Sequence, residues 1–296
     1  MKKTLLIYVM LLVLTLTGCS TAEPSQIAAT TLPVYEFTSR ICEGTPLSVT
    51  RLVTEEVSCL HDYSLNVKQV KAAEAAELIV ISGAGLEEFL DDILADTKTI
   101  DASRNIELIT PEEHHHDHEH EDEISHEGHH HEEDPHIWLS PANVRIMAEN
   151  ICGELAKHYP QYIDIFSENL ELLQKDLTDL ENYGHHNLAD LSCRELITFH
   201  DGFSYLAQAF DLTILEAIEE ESGSEASAKE LIHMIEEVEH HRLPAIFTEK
   251  SGSVSAAGII ARETGAKEFT LDMAMAGDSY FDAMYHNIDT LKEALQ

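Results

Sequence analysis

Basic residues are scarce in this chain. Its 296 residues include 18 Lys and Arg against 55 Asp and Glu, which leaves a formal net charge of −37 at pH 7. A charge of this sign and size repels nucleic acid and anionic lipid and attracts cations. The hydrophobic content of 44% is ordinary for a globular protein, so the acidity does not indicate a disordered chain. The length allows a large core and predicts two lobes.

The chain also lacks an apolar run long enough to cross a membrane. Its longest apolar stretch extends from Leu5 to Leu16 after Lys2 and Lys3, whereas a spanning helix needs roughly 20 apolar residues. We interpret residues 1–18 as an export signal. Its end, "LTGC", resembles the bacterial lipoprotein cleavage box, which makes Cys19 the lipid-bearing residue and 19–26 a flexible tether. A plain secretory signal with an incidental Cys is the alternative.

No C-x-x-C motif occurs, which argues against a local zinc knuckle or a thioredoxin-type site. Four further cysteines follow Cys19, namely Cys42, Cys59, Cys152 and Cys193. Outside the cytoplasm they have three possible disulfide pairings. Cys59 lies two residues before His61, so metal ligation by Cys59 stays open beside a buried thiol or a disulfide half.

Strand-like and helix-like segments alternate in both halves of the chain. In the first half, strands are predicted over 27–31, 47–53 and 77–83, and helices over 66–76 and 86–94. The second half repeats the scheme with "ELITF", "AIFTE" and "KEFTLD" as strands. A long helical pattern with an apolar stripe at Ile163, Phe166, Leu170, Leu173 and Leu177 lies between them. "EAIEEESGSE" is interpreted as a solvated acidic edge, with a surface that faces a partner as the alternative.

This alternation predicts the α/β class, with parallel β-α-β units in two lobes. Each lobe would carry a parallel sheet flanked by helices, and one long, rigid helix would join the lobes. The predicted boundaries are 27–158 for the first lobe, 159–190 for the linking helix and 191–296 for the second lobe. Residues 112–134 form a His- and acid-rich loop of low complexity that cannot build a core.

Ten of the 19 histidines lie in residues 114–141, and "HEGHH" matches the H-E-x-x-H signature of zinc proteases. That motif requires a regular helix, which places both imidazoles on one metal ion. Here Gly128 interrupts the motif, and no apolar stripe would dock such a helix. The match is therefore expected by chance in a segment of this composition.

Four residues with metal-binding side chains lie at or near predicted strand ends, where parallel sheets bind ligands. They are His61, His136, His200 and Asp272, spaced 75, 64 and 72 residues apart. Three imidazoles and a carboxylate form a ligand set that is typical of protein zinc sites. No local turn could assemble ligands so far apart in sequence, so the predicted site lies where the two lobes meet.

The chain resembles the zinc-binding lipoproteins of bacterial ABC importers. The motifs that carry the resemblance cover nearly all of the mature chain in family order: "CLHDYSLN", "ELIVISGAGLEEFL", the His-rich loop, "DPHIWLSPANV", "LITFHDGFSYLAQAF", "IFTEKSGS" and "ARETGAKEFTLD". The resemblance implies two α/β lobes joined by a rigid helix and one metal in the cleft. It implies ligand roles for His61, His136, His200 and Asp272. The family's usual "LDP" is "LDMAMAGDSY" here, so Glu249 or a water is the alternative fourth ligand.

On this resemblance the chain is predicted to be a monomeric, lipid-anchored extracytoplasmic receptor that passes Zn²⁺ to an ABC permease and its ATPase. It is predicted not to be an enzyme, because a site closed by protein donors has no open metal position. The alternatives are a manganese receptor of the same class, a secreted zinc hydrolase, and a metal-buffering or adhesive surface protein.

The remaining histidines of the loop have two open interpretations. They are either a solvated collector of several weakly held ions near the cleft or inert. These accessory residues are His114, His115, His116, His118, His120, His126, His129, His130 and His131.

Overall fold

The computed structural model describes residues 26–57, 60, 63–95, 97–110, 133–219, 226–250 and 255–296. They form two four-stranded parallel sheets and one long helix, which confirms the predicted α/β class and architecture. Among these residues, no helix combines the length and the apolar character that a membrane span requires.

Both sheets have the same topology. In each, the first strand lies between the second and the third, giving the orders β2-β1-β3-β4 and β6-β5-β7-β8, with every pair parallel. The strands are β1 (Ile27–Ala29), β2 (Val49–Arg51), β3 (Leu78–Ile81), β4 (Thr99–Asp101), β5 (Glu195–His200), β6 (Thr213–Glu219), β7 (Ala245–Glu249) and β8 (Lys267–Leu271). In each sheet the second strand is added on one side of the first strand and the third strand on the other, so the strand order reverses between the first and third strands. Such switch points are where α/β folds bind ligands.

Helices cover the sheets. They span Leu32–Ile41, Val67–Ala75, Asp91–Leu94, Pro141–His158, Ile163–Asn187, Ser204–Ala209, Ala228–His241, Ser255–Thr264 and Tyr280–Leu295. Several of these helices begin directly after a side chain that caps their free backbone N–H groups. Asn66 and Ser227 each form a capping box, and Ser140 and Ser279 cap the helices that follow them.

The long helix Ile163–Asn187 follows a 3-10 turn, Pro160–Tyr162. It buries Phe166, Leu173, Leu177, Leu180 and Gly184, which is a heptad-like stripe. The helix packs against helices of both halves of the chain, and one core cluster includes residues from both sheets. Ile163 was predicted to belong to the stripe, but it is exposed because it begins the helix, beyond the packed turns.

Three local expectations were wrong or incomplete. Residues 86–94 form a 3-10 turn, Glu88–Leu90, and a single α-turn rather than one helix. The edge strands β4 and β6 and the helix Ala228–His241 were not predicted. Part of the acidic segment "EAIEEESGSE" is strand β6, whose pairing with β5 outweighs its charge.

Cys42, Cys152 and Cys193 are free thiols, and Cys59 lies outside the described residues. Desolvation by burial, as the main cause, raises the pKa of Cys42 to about 12. Because Cys59 is not described, a disulfide that involves Cys59 stays a prediction.

Candidate metal centre

The second sheet brings three predicted site residues to one edge. His200 is the last residue of β5, Glu249 is the last residue of β7, and Asp272 directly follows β8. Because these strands are parallel neighbours, their carboxyl ends lie on the same side of the lobe. Strands β5 and β7 meet at the switch point of the sheet, where a ligand is expected.

His136 and His200 meet although 64 residues separate them. Their Nε2 atoms lie 3.4 Å apart, and their ring planes are almost perpendicular, at 89°. Both residues are buried, with 3% and 2% of their surface exposed. The two Nε2 atoms therefore lie within hydrogen-bond distance of each other in a buried part of the molecule.

Asp134 orients His136. Its Oδ1 lies 2.8 Å from His136 Nδ1 and accepts a hydrogen bond of 2.9 Å from the backbone N–H of His136. An ionised carboxylate can only accept, so Nδ1 carries the proton and Nε2 presents a lone pair towards His200. Such carboxylate–histidine pairs are typical of metal-binding imidazoles. The second oxygen, Oδ2, is buried with no hydrogen-bond partner among the described residues.

Trp138 attaches the His136 segment to the loop after β8. The indole Nε1–H donates to the carbonyl of Met273 at 2.7 Å, and the hydroxyl of Tyr280 donates to the carbonyl of Trp138 at 2.9 Å. Trp138 and Tyr280 are both fully buried. The position of His136 therefore depends on contacts with the second half of the chain.

Gly202 leaves space for the His200 ring. A Cβ atom at Gly202 would lie 2.6 Å from His200 Cδ2 and 2.8 Å from Met273 Cε. Any side chain at this position would push the imidazole or the methionine away. The glycine of "FHDGF" thus has a packing role at the site.

The backbone of Asp272 is held by Asn287. The Asn287 side chain accepts from Asp272 N–H and donates to Asp272 C=O, both at 2.7 Å. Asp272 Oδ1 accepts from the N–H of Ala274 at 2.8 Å, which leaves Oδ2 for another partner. Asp272 is therefore held by one hydrogen bond from the loop that replaces the family's "LDP" and by two from the following helix.

A cleft with carboxylate groups adjoins the imidazole pair. Glu249 and Asp272 line it together with Lys250, Met273 and Glu56. Met273 links the two regions, since its Cε packs beside Gly202 and His200. Within the described residues, no group of three or more His, Cys, Asp or Glu side chains is close enough to hold a metal ion.

Several predicted site residues lie outside the described residues. These are His61, the lipidation residue Cys19 and the accessory loop histidines, and the assignments made for them remain predictions.

Sequence reasoning missed Asp134, Gly202, Lys250 and Asn287. The sequence signal for Asp134 was its position two residues before His136 in "DPH". Because Pro135 restricts the backbone between them, the carboxylate can reach back to the ring of the histidine. No sequence signal distinguishes Asn287 from other polar residues of its helix.

The profile of the family described as "ZnuA: Zinc-uptake complex component A periplasmic" matches residues 27–294. The chain belongs to this family. Solute-binding proteins of this family are receptors of ABC importers and not enzymes, which agrees with the prediction made from the sequence.

Two relatives illustrate the match. The chain is 29% identical to the zinc-binding lipoprotein AdcA of Streptococcus pneumoniae, over 99% of this chain and 61% of that protein. It is 27% identical to a putative metal-binding protein of Treponema pallidum, over 94% of this chain and 92% of the relative. The chain thus spans less than two thirds of AdcA.

Solved structures share the fold. The crystal structure of ZnuA matches with a TM-score of 0.76 and 26% identity, over 91% of this chain and 99% of that chain. The Zn(II)-bound ZnuA-like domain of Streptococcus pneumoniae AdcA matches with a TM-score of 0.73 and 25% identity, over 91% and 98%. FpvC of Pseudomonas aeruginosa in complex with Mn²⁺ has the same fold at 23% identity, with a TM-score of 0.76 and coverage of 91% and 97%.

Proposed function

We propose that the chain is the zinc receptor of an ABC importer, binding Zn²⁺ outside the cytoplasm and delivering it to a permease and its ATPase. The observation that carries the choice of zinc is the 3.4 Å separation of His136 Nε2 and His200 Nε2. Two ligands at about 2.0–2.1 Å from a tetrahedral zinc ion lie about 3.3–3.4 Å apart. Asp134 supports the same assignment, because it fixes the tautomer of His136 that can donate a lone pair.

In this proposal His61 supplies the third nitrogen and Asp272 the oxygen, with Glu249 as the alternative oxygen ligand. Asp272 Oδ2 is suited to the role because Oδ1 is held by Ala274. The accessory loop collects zinc weakly near the cleft, and Cys19 anchors the receptor to the membrane. The similarity to relatives named as zinc-binding supports zinc as the bound ion. The lobe boundaries 27–158, 159–190 and 191–296 remain part of the proposal.

Metal titration of a variant that lacks residues 113–133 tests the proposal. We expect one tight zinc site to remain and several weak sites to disappear. His136→Ala and His200→Ala should each abolish tight binding in this background, whereas His158→Ala, an exposed histidine at a helix end, should not. Loss of the tight site from the deletion variant itself would show that the loop supplies primary ligands.

A manganese receptor is the second candidate, because a manganese complex of FpvC shares the fold. Imidazole nitrogen suits zinc, whereas manganese favours oxygen donors. His200→Glu should therefore weaken zinc binding and narrow the advantage of zinc over manganese. Wild-type protein that binds manganese as tightly as zinc would overturn the zinc assignment, since zinc normally exceeds manganese at N/O sites.

A further inference from the structure

Lys250 places a positive charge between carboxylates of both halves of the chain. Its Nζ lies 3.5 Å from Asp272 Oδ2 in the second half and 3.8 Å from Glu56 Oε1 in the first. The lysine directly follows β7, and its backbone N–H donates to the carbonyl of Leu271 at 3.0 Å. The backbone of Lys250 is thus fixed beside the end of β8, within reach of Asp272.

The two oxygens of Asp272 have different partners. Oδ1 accepts from the backbone of Ala274, and Oδ2 faces the ammonium group of Lys250. A cation that binds Asp272 through Oδ2 must therefore share this oxygen with Lys250 or displace it. Sharing is unfavourable, because an ammonium group and a divalent ion on one oxygen repel each other.

Glu56 gives the displaced lysine a second partner. Lys250 and Glu56 are exposed by 54% and 64% of their side-chain surfaces, so both can move without opening the core. An ammonium group that leaves Asp272 keeps a carboxylate nearby, which lowers the cost of the exchange.

We propose that Lys250 is a built-in competitor of the metal ion for Asp272, and that it weakens affinity and speeds metal release. This inference rests on the proposed function, because it needs Asp272 to bind the ion. A receptor that must pass its ion to a permease benefits from a competing cation fixed at the site. Since the pair is partly exposed, we expect an effect of at most about fivefold.

The test uses two variants of Lys250 and one matched control. Lys250→Met removes the charge, Lys250→Arg keeps it, and Lys267→Met removes an exposed charge from the opposite end of β8. Zinc affinity is measured by competition with chelating indicators, and release by stopped flow with excess chelator. We expect Lys250→Met to bind zinc about three- to fivefold more tightly and to release it more slowly. Lys250→Arg and Lys267→Met should resemble wild type.

The same comparison in an Asp272→Asn background distinguishes two effects of Lys250. One is competition with zinc for the Asp272 carboxylate, and the other is general charge repulsion between Lys250 and zinc. If Lys250 acts through the carboxylate, Lys250→Met should have no effect once Asp272 is neutral. An equal gain in both backgrounds, or no gain in the wild-type background, would overturn the inference and leave the zinc receptor intact. Wild-type protein without a tight zinc site would instead overturn the proposed function, and this inference with it.

Discussion

Asp134 determines which imidazole nitrogen of His136 faces His200. Removing a carboxylate that orients a ligating histidine typically costs 10–100-fold in metal affinity. We therefore predict that Asp134→Ala weakens zinc binding by about that factor, measured by competition titration. The zinc affinity of Asp134→Asn should be at least as low as that of Asp134→Ala. The amide N–H of Asn can donate to Nδ1 of His136, which favours the tautomer that carries its proton on Nε2.

The control for this prediction is Asp164→Asn, an exposed aspartate in the first turn of the long helix. It removes one negative charge from an element that carries none of the proposed ligands, and it should keep wild-type affinity. Unchanged affinity of both Asp134 variants would mean that His136 does not bind through Nε2, or does not bind at all.

Glu87 is a buried carboxyl group at the end of the first sheet. It accepts hydrogen bonds from Thr30 Oγ1 at 2.7 Å and from the N–H groups of Ser82 and Gly83 at 2.7 and 3.0 Å. Desolvation by burial nevertheless dominates and raises the pKa of Glu87 from 4.5 to about 7. The folded state therefore holds this proton more firmly than the unfolded chain does.

The sign of the pH effect follows from linkage. The stability contributed by protonated Glu87 is complete below about pH 4.5 and is lost as the pH rises through about 7. Glu87→Gln stays neutral, so the free energy of unfolding of this variant should fall less over that interval than that of wild type. Urea denaturation at a series of pH values measures this pH dependence of the free energy of unfolding. Glu88→Gln, its exposed neighbour, should follow wild type, and parallel curves for all three proteins would refute the prediction.

At the scale of elements, the long helix contains a glycine that the fold requires. Gly184 faces the ring of Phe210, and a Cβ atom there would overlap the ring carbons Cε1 and Cζ. Ala is ordinarily favoured over Gly within helices by about 1 kcal/mol. Overpacking a core typically costs about 1–3 kcal/mol, so Gly184→Ala should lower the free energy of unfolding despite its better helix propensity.

Gly153 provides the matched control. It also lies within a helix, Pro141–His158, but a Cβ atom there would meet nothing within 4 Å. Gly153→Ala should stabilise the protein by about 0.5–1 kcal/mol in denaturant titrations. The prediction for Gly184 fails if both substitutions shift stability in the same direction.

The elements predicted correctly from sequence were those with a strong local pattern. Strand β3, Leu78–Ile81, is apolar throughout because it is central in its sheet. The long helix shows its stripe at Phe166, Leu173 and Leu177. The missed strands β4 and β6 are edge strands, as are β2 and β8, which were predicted. Edge position alone therefore does not explain the misses. Strand β4 has only three residues, and β6 runs into the acidic segment, which masked its strand pattern.

The candidate site could be proposed in part from sequence for the same reason, and its ligand assignments stay predictions. His136, His200 and Asp272 could be selected because they lie near the ends of recognisable segments. The contacts that hold them could not, because Asn287 and Tyr280 come from a helix whose placement depends on the whole fold. The role of Lys250 could not be predicted from sequence either, because it depends on a contact with Glu56, a residue distant in the sequence.

At the scale of the whole molecule, the two halves share one core cluster and meet at Trp138. Trp138 is the only tryptophan of the chain, and it is fully buried beside the loop after β8. Its fluorescence therefore reports on the junction between the halves, whereas far-ultraviolet circular dichroism reports on all helices. If the junction holds the halves together, both signals should change in one transition.

We therefore predict coincident unfolding curves for the two signals in urea, and a joint shift of both curves when zinc is added. A ligand that binds only the folded state at 100 times its Kd adds about 2.7 kcal/mol to the free energy of unfolding. Because the proposed ligands come from both halves, zinc should stabilise both together. His136→Ala should remove the zinc-dependent shift but keep the coincidence of the curves. Dichroism that changes in two steps, with zinc moving only one of them, would mean that the halves unfold separately and that the metal is held by one half alone.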